Sequence, residues 1–130
     1  MKIGIYILFV LINIVIADLN NQTRLHRIIL GDKRQINHPL WAAIYCAPII
    51  LIFFLTKDWF LALALLAQHI SIFPVLYNLF AHLPPFNLSK TSSAVSDRLM
   101  VQMGFKNSAP INISMLIVSI AAIIVSVLVN

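Results

Sequence analysis

Gln68, Ser71, Asn78 and His82 recur at intervals of three, seven and four residues inside a stretch that is otherwise almost wholly apolar. On a helix those intervals put all four on one stripe, which Val75 completes. His69 lies beside the stripe near the middle of the stretch and is the deepest ionisable group in the chain. Polar groups in hydrocarbon need partners, so such a stripe must face other helices or a wet cavity. Two chemistries fit it. A row of amides, a hydroxyl and imidazoles could pass a proton or a polar substrate. The same row could also hold helices together, each hydrogen bond being worth roughly 0.6 to 2 kcal/mol. An ion path ordinarily includes a carboxylate within a span, and this stretch has none, so helix packing is the expected role.

A second row, Asn112, Ser119 and Ser126, repeats every seven residues with Ala122 between the last two. Small residues on one stripe let helix backbones approach closely, which marks a packing face. Asn13, the single polar residue in the first apolar run, is a suitable partner for either row. Together Asn13, Gln68, His69, Ser71, Asn78, Asn112, Ser119 and Ser126 form the candidate packing or pathway set.

Histidine and carboxylate also occur between the apolar runs. His26, His38 and His82, with Asp18, Asp32 and Asp97, fall on one side of the expected topology and could hold zinc or another divalent ion. His26, His38, His82 and Asp97 are the metal candidates. No pair of them sits at the four-residue step that puts two ligands on one helical face. The competing reading assigns His26 to a basic loop, His38 with Pro39 to a helix start and His82 to a helix end.

Other chemistry has no foothold. Gly4, Gly31 and Gly104 are the three glycines, and no phosphate-binding loop or nucleophile elbow can be built from them. Cys46 is the single cysteine and lies within an apolar run, so it forms no disulfide within the chain and packs as a small hydrophobe. No cofactor motif is present, and the chain is expected not to be an enzyme.

The elements that must position these residues follow from composition. The 130 residues are 61% hydrophobic and 10% charged, against about 25% charged in ordinary soluble domains. Mean hydropathy is +0.95. A small soluble core cannot bury so much apolar surface, whereas lipid can. The expected fold is all-α: a single membrane domain of four transmembrane helices in two hairpins, with spans at about 1–19, 39–56, 59–80 and 110–129. The first span is short. Its apolar core, Ile3 to Ala17, covers roughly 22 Å against a hydrocarbon thickness of about 30 Å. Read instead as a secretory signal, it would offer Lys2 as the basic flank and Val15-Ile16-Ala17 as the cleavage site. Pro39 suits the start of the second span, and Pro48 and Pro74 lie inside the second and third. Lys57-Asp58 makes so brief a break that the second and third spans must form a tight helical hairpin. In the last connection, Pro84-Pro85 ends the third span. Residues 92–104 then fit a short interfacial helix, with Ser92 or Ser93 as N-cap, Gly104 as stop, and Val95, Leu99 and Met103 on one face.

Charge suggests the orientation. The chain has net charge +5 and no glutamate. In a soluble protein that balance would raise nucleic-acid binding, but here the basic residues punctuate apolar spans and answer to topology and anionic headgroups. Arg24, Arg27, Lys33, Arg34, Lys90, Arg98 and Lys106 lie in the two long connections, against Lys2 and Lys57 on the other side. That bias puts residues 20–38 and 81–109 in the cytoplasm and both termini opposite. A cleaved signal would export the four basic residues of the first connection, which counts against cleavage. Trp41, Trp59 and Tyr77 stand near span ends as interfacial anchors.

The function expected from these features is that of an accessory or structural subunit packed against other membrane helices, or a homo-oligomer of such subunits, with lipid and membrane proteins as partners and no nucleic acid. A small oligomeric transporter or channel lined by Gln68, His69, Ser71 and Asn78 is one alternative. A metal-dependent membrane enzyme at the cytoplasmic face is the other.

Overall fold

The computed structural model describes residues 1–31, 38–88 and 95–129, with all their side chains except those of Arg27, His38, Pro39, Val95 and Ser96. All regular structure among these residues is helical: α1 (Lys2–Ile29), α2 (His38–Thr56), α3 (Trp59–Phe80), α4 (Val95–Gln102) and α5 (Ala109–Val129). Three helical stretches, Lys2–His26, Trp59–Phe80 and Ala109–Val129, are long and apolar enough to cross a membrane; the apolar part of α2, Leu40–Thr56, is shorter.

α1 departs from expectation. The first helix does not stop near Leu19 but runs for 28 residues, about 42 Å. Nothing between Ala17 and Leu30 breaks a helix, and the polar side chains there bond along it. Gln22 Nε2 donates to Asp18 Oδ2 (2.6 Å) and Thr23 Oγ1 to the Leu19 carbonyl (2.8 Å). Asn21 Nδ2 reaches across to the Phe80 carbonyl at 3.0 Å and ties this extension to the end of α3. Gly31, with φ of 64°, supplies the left-handed residue that ends α1. The Gly31-Asp32 turn signal therefore marks this helix end, although Asp32, Lys33 and Arg34 lie outside the described residues.

The α2–α3 turn is as tight as its two residues require. Thr56 Oγ1 donates to the Ile52 carbonyl (2.8 Å) and accepts from the Asp58 amide (3.3 Å). Lys57 takes φ of 55°, and Asp58 is extended and caps α3 by accepting from the Leu61 amide at 2.9 Å. Pro48 and Pro74 lie inside α2 and α3, as the sequence places them.

α3 ends in a Schellman motif: the Leu83 amide donates to the Asn78 carbonyl (2.8 Å) and the His82 amide to the Leu79 carbonyl (3.0 Å). His82 holds the left-handed position that glycine usually takes, with φ of 56°. α4 ends in the same way, with Gly104 at φ of 86°, so the expected short helix exists and Gly104 is its stop. Ser92 and Ser93, its expected N-caps, lie outside the described residues.

α3 is the central element. It packs on α1 along one side and α5 along another, while α2 meets the bundle through α3. Among the described residues, the α1 and α2 backbones do not come into contact, so the first expected hairpin is not a packed pair. Leu61, Ala64 and Leu65 of α3 form the core with Phe9, Ile49, Ala122 and Ile123. The outer faces of α1, α2 and α5 remain apolar and exposed, as at Leu11, Leu51 and Ile117. Such faces suit hydrocarbon, where exposing them carries no hydrophobic cost.

Candidate functional site: a polar seam through the bundle

The polar side chains of α1, α3 and α5 meet along one internal seam. On α1 the residues along the seam are Lys2, Tyr6, Phe9, Asn13, Ala17, Asn20 and Arg24, at steps of three or four that keep one face toward α3.

At one end of the bundle Lys2 Nζ stands 2.7 Å from Asp58 Oδ2. Ser126 Oγ donates to the same oxygen at 2.7 Å, and Lys2 also donates to the Ser126 carbonyl at 2.7 Å. Asp58 is 5% exposed. Burial pushes its carboxyl pKa up, but hydrogen bonds from Lys2, the Leu61 amide and Ser126, with the charge of Lys2, outweigh burial and hold it down at about 2. One carboxylate thus joins the start of α1, the α2–α3 turn and the end of α5.

A second node lies further in. Ser119 Oγ donates its single proton to the Ala64 carbonyl at 2.8 Å. The 2.6 Å contact between Tyr6 Oη and Ser119 Oγ must then run from the phenol to the serine. Closeness of α5 to the α3 backbone follows from the small side chain at 119, the packing role expected of that row.

The third node contains the deepest polar groups, and its direction can be traced. Gln68 Nε2 donates to the Tyr6 carbonyl at 3.1 Å, which turns Gln68 Oε1 toward α1. Asn13 Nδ2 donates to the Phe9 carbonyl (2.9 Å) and toward that Oε1 (3.5 Å), which turns Asn13 Oδ1 toward His69. Backbone carbonyls only accept, so the chain of roles is fixed at both anchors. His69 Nδ1, 2.7 Å from Asn13 Oδ1, carries the proton, and in the neutral ring Nε2 holds the lone pair. Tyr45 of α2 stacks on this imidazole with centroids 3.5 Å apart, and Phe73 lies 5.1 Å from His69. The Tyr45 hydroxyl is buried and makes no hydrogen bond among the described residues.

At the far end the seam serves the loops. Asn78 Nδ2 donates to the Pro85 and Asn87 carbonyls, at 3.0 and 3.1 Å, and so folds the chain after α3 back on itself. Asn112 Nδ2 donates to Ser108 Oγ at 3.3 Å, and the Ser108 amide donates to the Phe86 carbonyl at 3.1 Å. Asn20 Oδ1, Asn21 Oδ1 and Arg24 Nε are buried there without a hydrogen-bond partner among the described residues.

The structure therefore brings Asn13, Gln68 and His69 into one node and sets Ser119 and Ser126 into two others. Ser71 is buried on the same stripe, while Asn78 and Asn112 brace the loop end. His82 leaves the stripe, is exposed, and serves as the left-handed residue of a helix end. Sequence reasoning missed Lys2, Tyr6, Tyr45 and Asp58. The signal for Asp58 was an aspartate directly before a helix start. Continuing the three-and-four spacing outward from Asn13 would have found Tyr6 and Lys2. Tyr45 had no sequence signal.

The inner nodes of the seam are closed: Gln68, Ser119 and Ser126 are each 0% exposed and Asn13 is 1% exposed, while His69 keeps part of its surface open. Two open cavities of about 330 and 390 Å³ lie elsewhere, beside residues 84–88 and 104–107. Of the metal candidates, His26 and His82 are exposed at the ends of α1 and α3, Asp97 is on α4, and the His38 side chain lies outside the described residues. Among the described residues, no three His, Cys, Asp or Glu side chains come together. Cys46 is exposed on α2 rather than packed inside. No family model, curated protein or solved structure matches this chain.

Proposed function

We propose that this chain is a single membrane domain of four transmembrane helices that acts as an accessory or structural subunit, packing against the helices of other membrane proteins. The observation that carries this reading is the closure of the seam's inner nodes. The polar groups that could have lined a path bond to one another and to backbone carbonyls. What the chain then offers its surroundings is an apolar helical surface with very little mass outside it. Association through helix faces is the chemistry such a surface supports.

Four crossings fit this reading. Tyr45 and Ile49 hold α2 against α3 beyond a two-residue turn, so the two helices run antiparallel side by side. The Lys2–Asp58–Ser126 cluster gathers the start of α1, the α2–α3 turn and the end of α5 at one end of the bundle, as an even number of crossings requires. The excess of Lys and Arg in the two long connections assigns them to the cytoplasm and both termini to the opposite side. α1 belongs to the folded domain rather than to a removed signal, because Lys2, Tyr6 and Asn13 supply partners to α3 and α5.

Purification from native membranes in mild detergent, with cross-linking beforehand, tests the proposal. A subunit co-purifies with a defined partner. A stable, strictly monomeric protein with no cross-linked partner would overturn it.

A further inference from the structure

We infer that the face of the bundle around His69 Nε2 is the docking surface for a transmembrane helix of a different membrane protein, one that presents a hydrogen-bond donor side chain at mid-membrane depth. This inference rests on the subunit reading above and names the surface it uses.

The relay from the Tyr6 and Phe9 carbonyls through Gln68 and Asn13 leaves His69 Nδ1 as a donor and Nε2 as an acceptor. Nε2 has no hydrogen bond among the described residues, and the His69 side chain is only partly buried. His69 lies midway along α3, ten residues from its first residue and eleven from its last. At that depth neither water nor a headgroup is at hand, and acyl chains offer no donor. An unbonded lone pair on a partly exposed ring in hydrocarbon is complementary to a hydroxyl or amide N–H on a neighbouring helix.

The surroundings suit a helix. Phe73 and Tyr77 continue from His69 at four-residue steps along α3 and are partly exposed. Their rings are 6.2 Å apart in a stacked arrangement, and Phe73 also meets Tyr45 edge-on at 5.2 Å. Tyr45 of α2 covers one side of this strip, yet His69, Phe73 and Tyr77 all keep part of their surface open beside it.

A second copy of this chain is a poor match. Among the described residues, the exposed side chains of its own spans are apolar apart from Cys46, Ser114, Trp59 at a span end, and Gln22 and His26 near the end of α1. Cys46 lies midway along α2, but its thiol is only a weak donor, and Ser114 lies only five residues into α5, nearer a membrane surface than His69. The occupant is therefore assigned to another protein, with Ser, Thr, Asn or Gln at the point of contact.

The experiment places a photoreactive phenylalanine analogue at Phe73, and separately at Ile120 on the exposed face of α5, in the full chain in its native membranes. The expected result is a discrete heavier adduct from position 73, mapped by mass spectrometry to a span of another membrane protein. His69→Leu should lower its yield about threefold to tenfold, the loss of one interhelical hydrogen bond, while His69→Gln, which keeps an acceptor, should restore part of it. Lipid adducts alone at position 73, an adduct to a second copy, or a yield indifferent to His69→Leu would overturn the inference. Should His69→Leu fail to accumulate, the identity of the unsubstituted chain's adduct decides. Protein adducts from position 120 but not from 73 would refute this surface and leave the subunit reading standing. No protein adduct from either, with a monomer in mild detergent, would remove both.

Discussion

Asp58→Ala should cost the bundle about 2–3 kcal/mol, because one carboxylate performs two separable jobs. As N-cap of α3 it accepts from the Leu61 amide at 2.9 Å, and losing such a cap costs about 1 kcal/mol. Its other oxygen holds Lys2 and Ser126 at 2.7 Å each. Removing one partner of a fully buried pair costs about 3–5 kcal/mol, but the Lys2 side chain is 20% exposed and stands at the bundle end, so about 1–2 kcal/mol is the appropriate share. Unfolding in mixed micelles by titration with a denaturing detergent, followed by the fluorescence of adjacent Trp59 and by helical circular dichroism, measures the difference. Lys2→Met and the double variant complete a cycle whose coupling should reach about 1 kcal/mol. The pH dependence gives an independent check. The folded carboxyl, at about 2, lies below its ordinary 3.8, so its contribution is complete above pH 3.8 and is lost as pH falls from there through about 2. Asp58→Asn should lack that decline. A cost below about 0.5 kcal/mol, or single effects that simply add, would refute the assignment of Asp58 as the tie between α1, α3 and α5.

Gln68→Leu keeps the volume but removes the donor to the Tyr6 carbonyl and the acceptor facing Asn13, so a loss of about 1–3 kcal/mol is expected in the same titration. Ser119→Leu should be worse tolerated than Ser119→Ala, because the small side chain sets the approach of α5 to the Ala64 carbonyl; overpacking of this kind costs about 1–3 kcal/mol, read as a lower midpoint. His82→Gly should raise stability by about 0.5–1 kcal/mol, since His82 holds φ of 56° and glycine adopts that conformation without strain. A chain deleted of residues 1–17 should fail to accumulate in membranes, because Asp58, Gln68 and Ser119 lose their α1 partners; immunodetection of the membrane fraction after synthesis arrest checks this.

Helix identity was legible because local chemistry sets it. The third and last helices begin and end within a residue of their sequence bounds, and Gly104 stops α4 as its backbone freedom allows. The error in α1 has a local cause too. Asn20, Asn21 and Arg24 read as loop because they are polar, yet polarity alone does not end a helix when side chains bond along it and against a neighbour. His82 shows the converse: its spacing joined the stripe, but Pro84 and Pro85 follow so closely that its backbone had already left the helix.

By itself the sequence determined that these runs are helices, that three of them suit hydrocarbon, and that Gln68, Ser119, Ser126 and Asn13 face inward rather than to lipid. Those properties follow from composition and from a period of 3.6 residues, which act within one helix at a time. Only the tertiary structure decided which helix receives each polar group. It set α3 at the centre, gave Asp58 to Lys2 and Ser126, and turned the amides of Gln68 and Asn13 so that His69 carries its proton on Nδ1. Partner choice depends on relative position across 55 to 124 residues of chain, and no local spacing encodes that.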